Sequence, residues 1–94
     1  MVQTTLLIQA NKDLLSRAAA NIAQDLKTIE SSIYFRSFGR QANAKSLVGL
    51  LTLGIRQGES FEVFIISKND IDAALDLERI LAILDPYSTL ILAE

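Results

Sequence analysis

Apolar and β-branched residues cluster in four short segments that are typical of strands. The predicted strands are residues 2–9, 31–39, 40–44 and 60–67. Within 31–39, the side chains of Ile33, Phe35 and Ser37 would lie on one face, because successive residues of a strand point to opposite sides. The connection at Gly39 and Arg40 is so short that it predicts an antiparallel hairpin.

Three other segments repeat apolar residues every three or four positions, which predicts helices. From Ser16, with Ser16 or Asp13 as the expected cap, the stripe is Ala19, Ile22, Ala23, Leu26 and Ile29. Residues 45–54 predict a short helix capped by Ser46 and ended by Gly54. A third helix begins at a cap on Asp70 and ends before Pro86, with the stripe Ala73, Ala74, Leu77, Ile80, Leu81 and Leu84.

The order β-α-β-β-α-β-α predicts an α+β fold with a four-stranded, mostly antiparallel sheet and three helices on one face. The 94 residues fit a single domain over 1–94, with a core at 2–84. The apolar extension 85–94 is not needed to complete that order. Its residues 87–94 are compatible with a last strand, a docking segment or a dimer contact.

The composition removes several function classes. The chain has no cysteine and no histidine, so it lacks a thiolate nucleophile, the usual general base and the commonest metal ligands. We expect no catalytic residue, no metal and no cofactor. A net charge of −2 argues against direct binding of nucleic acid. Neither a signal peptide nor a membrane span is evident, which predicts a cytoplasmic protein without membrane contact.

Ser46 has two interpretations. It is a plain helix cap, or it is a phosphorylation site at a helix N-terminus. There the helix dipole and the free N–H groups favour an anion of about −1.5 to −2 charges. Phosphorylation at such a position leaves the fold intact, as a switch requires.

The short helix carries more apolar residues than one buried face accepts. Leu50 and Leu53 fit the core. The stripe of Leu47, Val48 and Leu51 lies on another side and is either buried as well or exposed for a protein partner.

Charged residues give weaker indications. Arg17 lies in a first helical turn, where a cation opposes the helix dipole, so it is either simply solvated or matched to a local anion or a partner carboxylate. Asp70, Asp72, Asp76 and Glu78 are expected on a solvated helix face.

The segment NAKSLVGLLTLGIRQGESFEV, together with LLSRAAA and the element order, resembles the HPr family over residues 2–84. HPr proteins are the small phosphocarriers of the bacterial sugar phosphotransferase system. The resemblance implies an open-faced β-sandwich.

The family's phosphate-carrying histidine lies in a Gly-Leu-His-x-Arg-Pro-Ala-Ala pattern. Here Leu15 stands at the histidine position, Asp13 replaces the glycine and Ala18 replaces the proline, whereas Leu14, Arg17, Ala19 and Ala20 match. Because a leucine side chain accepts no phosphoryl group, we expect no phosphate transfer through this site.

The resemblance implies a regulatory role instead. In Gram-positive members the serine matching Ser46 is phosphorylated by an HPr serine kinase, and the product is a corepressor of a catabolite-control repressor. One branch, catabolite-repression HPr (Crh), lacks the histidine and keeps this role; the chain is most similar to it. Arg17 would pair with phosphorylated Ser46, beside partner-binding Leu15, Leu47, Val48 and Leu51. Two alternatives stay open: a degenerate scaffold acting through homodimerisation or protein interaction by its tail, and a small-molecule-binding module.

Overall fold

A computed structural model describes residues 1–93 as five strands and three α-helices. The strands are β1 (Val2–Ala10), β2 (Ser32–Ser37), β3 (Arg40–Asn43), β4 (Ser60–Ser67) and β5 (Ser88–Ala93). The helices are α1 (Ser16–Leu26), α2 (Leu47–Leu53) and α3 (Asp70–Leu84), followed by a 3-10 turn at Asp85–Tyr87. The strand order is β3-β2-β4-β1-β5, and all neighbours are antiparallel. The α+β class and the element order are therefore confirmed up to α3.

The sheet has five strands, whereas the sequence predicted four. The 3-10 turn around Pro86 reverses the chain, and β5 then pairs with β1, from Ala10 opposite Ser88 to Leu6 opposite Ala93. The backbone N–H of Asn11 donates to the carbonyl of Tyr87 at 2.8 Å, which anchors the turn to the end of β1. Of the three roles considered for the tail 87–94, the last strand is observed for Ser88–Ala93, and Glu94 lies outside the described residues.

The core lies between one face of the sheet and the helices. Strand residues alternate between buried and more exposed positions, and Ile33, Phe35 and Ser37 all point inward as expected. The rings of Phe35 and Phe61 lie 4.9 Å apart between centroids in a tilted pair at the centre of this layer. From α1 the core receives Ala19, Ile22, Ala23 and Leu26, all of them in the predicted stripe.

Two predicted helix caps are wrong. The N-cap of α1 is Leu15, and no side chain caps this helix. Ser16 already lies inside the first turn with φ 48°, and the Asp13 carboxylate accepts a 2.8 Å hydrogen bond from the N–H of Gln57 instead. At α3 the cap is Asn69, one residue before Asp70, and its side chain accepts from the N–H of Asp72.

The ends of α2 match the prediction. Ser46 is the N-cap, and Gly54 ends the helix with φ 58°, a left-handed conformation that glycine adopts without strain. Gly49 lets α2 lie close to β3, because a Cβ atom there would come within 3.2 Å of the Ala42 side chain.

The buried stripe of α3 differs from the predicted stripe, because Asp76 is buried in it and Ala74 is not. Ala74 is exposed, while Asp76 is buried with 8% of its surface accessible. Asp76 was expected on a solvated face, but its carboxylate accepts a hydrogen bond from the Ser31 hydroxyl beneath the helix. This polar contact offsets the cost of burying a carboxylate. No helix among residues 1–93 has the length and apolar character needed to span a membrane.

Candidate functional site

The start of α1 is the first part of the candidate site. Leu15 is half-buried at the N-cap position, and the left-handed φ of Ser16 turns the chain into the helix. No acidic side chain lies in the first turn, and no side chain caps it. The N–H groups of this turn therefore lack a side-chain acceptor, and a leucine is the side chain beside them.

The short helix α2 is the second part. The Ser46 hydroxyl accepts a hydrogen bond of 3.1 Å from the N–H of Gly49. Ser46 itself is half-buried. A side chain in this position belongs to the cap and still borders solvent.

The apolar stripe of α2 divides as its spacing suggested. Leu47, Val48 and Leu51 are 40%, 73% and 42% exposed, whereas Leu50 is 2% exposed and Leu53 packs against the core. The three exposed residues form what we call the α2 patch. Exposed apolar side chains that are grouped in this way are typical of protein-docking surfaces.

The helices α1 and α2 contact each other and run in opposite directions. The N–H of Leu14, just before α1, donates to the carbonyl of Ile55, just after α2, at 2.8 Å. At the other end, the Lys45 ammonium before α2 donates to the carbonyl of Ile29 after α1. The start of each helix therefore lies beside the end of the other.

This arrangement places Arg17 and Ser46 near opposite ends of α2, so the pairing of Arg17 with a phosphate on Ser46 stays a prediction that the helix directions do not favour. Arg17 lies in the first turn of α1, next to the end of α2, whereas Ser46 lies at the start of α2. Seven helical residues separate the two ends, or about 10 Å along the axis. The α2 patch lies between them, so Ser46 and Arg17 border this patch from opposite ends.

Arg17 is exposed, and among residues 1–93 it forms no ion pair. No acidic side chain of the described residues pairs with it, so solvent, a bound anion and a partner's carboxylate stay open as its surroundings. The shifted pKa values belong to Glu30 and Lys68, which lie outside α1 and α2. A hydrogen bond from Lys68, together with its charge, lowers the pKa of Glu30, and the same contact raises the pKa of Lys68.

Sequence reasoning missed one polar cluster. The hydroxyls of Ser31 and Ser67 are 2.8 Å apart, and Ser31 also donates to Asp76. The signal was present in the sequence, since Asp76 falls three residues after Ala73 and four before Ile80, on the stripe that packs inward.

Comparison with known proteins agrees with the fold and with the position of these elements. The family model described as "PTS HPr component phosphorylation site" matches residues 2–83. The chain belongs to the HPr family. It is 30% identical over 82 residues to the HPr-like protein Crh of Bacillus subtilis (strain 168), covering 87% of this chain and 93% of that protein.

The relatives of this HPr-family chain also include phosphocarriers. The phosphocarrier protein HPr of Vibrio cholerae is 33% identical over 85 residues, which covers 90% of this chain and 96% of that protein. The solved structure of an HPr from Bacillus anthracis str. Ames superimposes with a TM-score of 0.69 at 27% identity, covering 87% and 94% of the two chains. The crystal structure of HPr-C-His from Thermoanaerobacter tengcongensis also superimposes with a TM-score of 0.69, at 24% identity, covering 90% of this chain and 92% of that one. At this identity the likeness supports the fold alone.

Proposed function

We propose that this HPr-family protein is a cytoplasmic, non-enzymatic regulator of carbon metabolism, switched by phosphorylation of Ser46 and read by a protein partner. The observation that carries the proposal is the position of Ser46 at the N-terminus of α2, at one end of the exposed α2 patch. A phosphate at this end adds charge next to an apolar surface, and the combination is typical of a regulated docking site.

The same proposal assigns no phosphate transfer to the chain. Leu15 stands at the family's histidine position, and the 94 residues contain no histidine. The Asp13 carboxylate adds a negative charge beside the start of α1, which opposes an incoming phosphate. The regulatory role of HPr-like proteins is then the one that remains available.

The proposed partners are an HPr serine kinase, which modifies Ser46, and a catabolite-control repressor, which reads the product. The repressor would cover the α2 patch, with phosphoserine 46 at one end and Leu15 with Arg17 at the other. A partner carboxylate facing Arg17 would give a charge-assisted contact there.

Binding of the repressor tests the proposal. We expect the Ser46-phosphorylated protein to bind a catabolite-control repressor and the unmodified protein to bind much more weakly. Val48→Asp should abolish the binding. Ile71→Asp is the matched control, because Ile71 is an equally exposed apolar residue, 73% accessible, on α3. Equal binding of both phosphorylation states, or equal loss in both variants, would contradict the proposal.

A second function is favoured by one observation on β5. This strand ends the sheet, and Leu90, Ile91 and Leu92 are exposed along it. An apolar edge strand with free backbone groups is suited to pairing with the same strand of a second copy. A homodimer would be detected by sedimentation at increasing concentration and should dissociate in Ile91→Lys. A monomer at every concentration would exclude this alternative.

A further inference from the structure

A cleft separates α3, from Asp72 to Ala82, from the loop that precedes β2 and from the end of β4. Its volume is about 830 Å³, and we call it the α3 cleft. That volume is within the range of small-molecule sites, roughly 300–1,000 Å³. None of the residues assigned to the docking surface above borders it.

The floor of the α3 cleft is polar. It contains Ser31, Ser67 and Asp76, which are 7%, 2% and 8% exposed. One oxygen of the Asp76 carboxylate accepts from Ser31, while the other forms an ion pair with the Arg79 guanidinium at 4.0 Å, which is too long for a hydrogen bond. This buried carboxylate therefore keeps acceptor capacity that the described residues do not use.

The sides of the cleft combine negative charge with apolar surface. Four carboxylates line the cleft together with two basic side chains and Met1, which carries the N-terminal ammonium, so the excess is one negative charge. The carboxylates are Glu30, Asp72, Asp76 and Glu78, and the basic residues are Lys68 and Arg79. Lys68 is paired with Glu30 at 2.9 Å, and Arg79 donates to Thr28 at 3.3 Å, so both cations already have partners.

An apolar wall faces these charges. Ile66, Leu75 and Ala82 line it, and Leu75 is 56% exposed although it stands next to the buried floor. An aliphatic chain of a few carbons would cover Leu75 and remove this apolar surface from water.

We propose that the α3 cleft binds a small aliphatic ammonium compound. Its ammonium group would donate to the Asp76 oxygen that accepts no hydrogen bond from the described residues, in competition with the Arg79 guanidinium, and to the hydroxyls of Ser31 and Ser67, since an ammonium has three donors. Its carbon chain would lie on Leu75, Ile66 and Ala82. Among residues 1–93 no group of three or more acidic side chains is placed to hold a metal ion.

Titration with n-hexylammonium, followed by amide NMR, tests this proposal. We expect saturable shifts at Ser31, Ser67, Leu75 and Asp76. Hexanol and hexanoate have the same chain without the positive charge, and they should bind at least about tenfold more weakly, because hydrogen bonds to charged groups are worth that much or more.

Variants separate a ligand site from a structural polar contact. Asp76→Asn should weaken hexylammonium binding about tenfold or more. Asp85→Asn, a change of the same kind at the exposed far end of α3, should leave it unchanged. Leu75→Lys changes only an exposed side chain. It should abolish hexylammonium binding and leave the thermal unfolding midpoint unchanged. This variant keeps the test valid if Asp76→Asn unfolds the protein. Absence of saturation, equal binding of hexanol, or full binding by Leu75→Lys would overturn the proposal.

Discussion

The hydroxyl of Ser46 accepts a hydrogen bond of 3.1 Å from the backbone N–H of Gly49, three residues along the chain. This contact makes Ser46 the cap of α2 as well as the proposed target of phosphorylation. The two roles are compatible, because a negatively charged group at a helix N-terminus is favourable for the same N–H groups. A switch at this residue changes the surface of the protein without removing the start of the helix.

The cap gives the first prediction. Ser46→Ala should lower the free energy of unfolding by about 1 kcal/mol, because the N–H of Gly49 loses its acceptor. The free energy of unfolding of Ser46→Asp should differ from that of the original chain by no more than about 0.3 kcal/mol, since aspartate caps a helix as well as serine does. Urea unfolding of the three proteins measures both differences. An Asp variant as unstable as the Ala variant would contradict the capping account.

The orientation of α2 gives the second prediction. Leu50→Ala should cost about 2–4 kcal/mol, because it leaves a cavity beneath the helix. Val48→Ala should change the stability by no more than about 0.5 kcal/mol, because Val48 faces solvent. Thermal unfolding of both variants provides the measurement. Similar losses in the two variants would mean that α2 buries a different face.

The fifth strand gives the third prediction. Removal of residues 88–94 should leave the other four strands folded and lower the stability by roughly 1–3 kcal/mol. The loss is small because most of β5 is exposed, and its hydrogen bonds are offset by the entropy of ordering it. Amide exchange should quicken in β1, which becomes an edge, and stay slow in β2. An unfolded truncated chain would show instead that β5 is essential.

The ion pair between Lys68 and Glu30 gives the fourth prediction, which concerns pH. The hydrogen bond from Lys68 and its charge hold the pKa of Glu30 below 4.5. The stabilisation is therefore complete above pH 4.5 and is lost as the pH falls through the lowered pKa. The same contact raises the pKa of Lys68 above 10.5. The stabilisation that the charged Lys68 contributes is therefore complete below pH 10.5 and is lost as the pH rises through the raised pKa.

An NMR titration of the Glu30 carboxyl group checks the acid side of this account. Lys68→Met should return the pKa of Glu30 toward 4.5, and high salt should do the same in part, because both side chains are exposed. Lys12→Met, a distant exposed lysine, is the control. A pKa of Glu30 that is the same in both variants would show that Lys68 does not cause the shift.

Local signals were enough to predict most of the fold. The segment 60–67 was identified with the bounds of β4, because alternating apolar residues fix both the strand and its buried face. Ser46 and Gly54 predicted the ends of α2 for a similar reason, since the Ser46 side chain caps an N–H three residues along the chain and Gly54 itself adopts the left-handed conformation. The strand β5 was left open, because its apolar residues suit a partner strand as well as a partner protein.

Long-range contacts explain what could not be predicted. The predicted helix cap at Asp13 is wrong because the Asp13 carboxylate accepts a hydrogen bond from the N–H of Gln57, 44 residues away in the chain. The position of Asp76 on the inward stripe of α3 was readable from the sequence, but its hydrogen-bond partner Ser31, 45 residues away, was not. The antiparallel contact of α1 with α2, which separates Arg17 from Ser46, becomes visible only when both helices lie on the sheet.

The central claim is that Ser46 is a phosphorylation switch in an HPr-family chain without a phosphate-carrying histidine. Incubation of the purified protein with ATP and an HPr serine kinase, followed by intact mass and peptide mapping, tests it most directly. We predict a single phosphoryl group on the peptide that contains Ser46, absent in Ser46→Ala and retained in Ser32→Ala, a change at another exposed serine. No modification, while an ordinary HPr is labelled in the same tube, would contradict the claim.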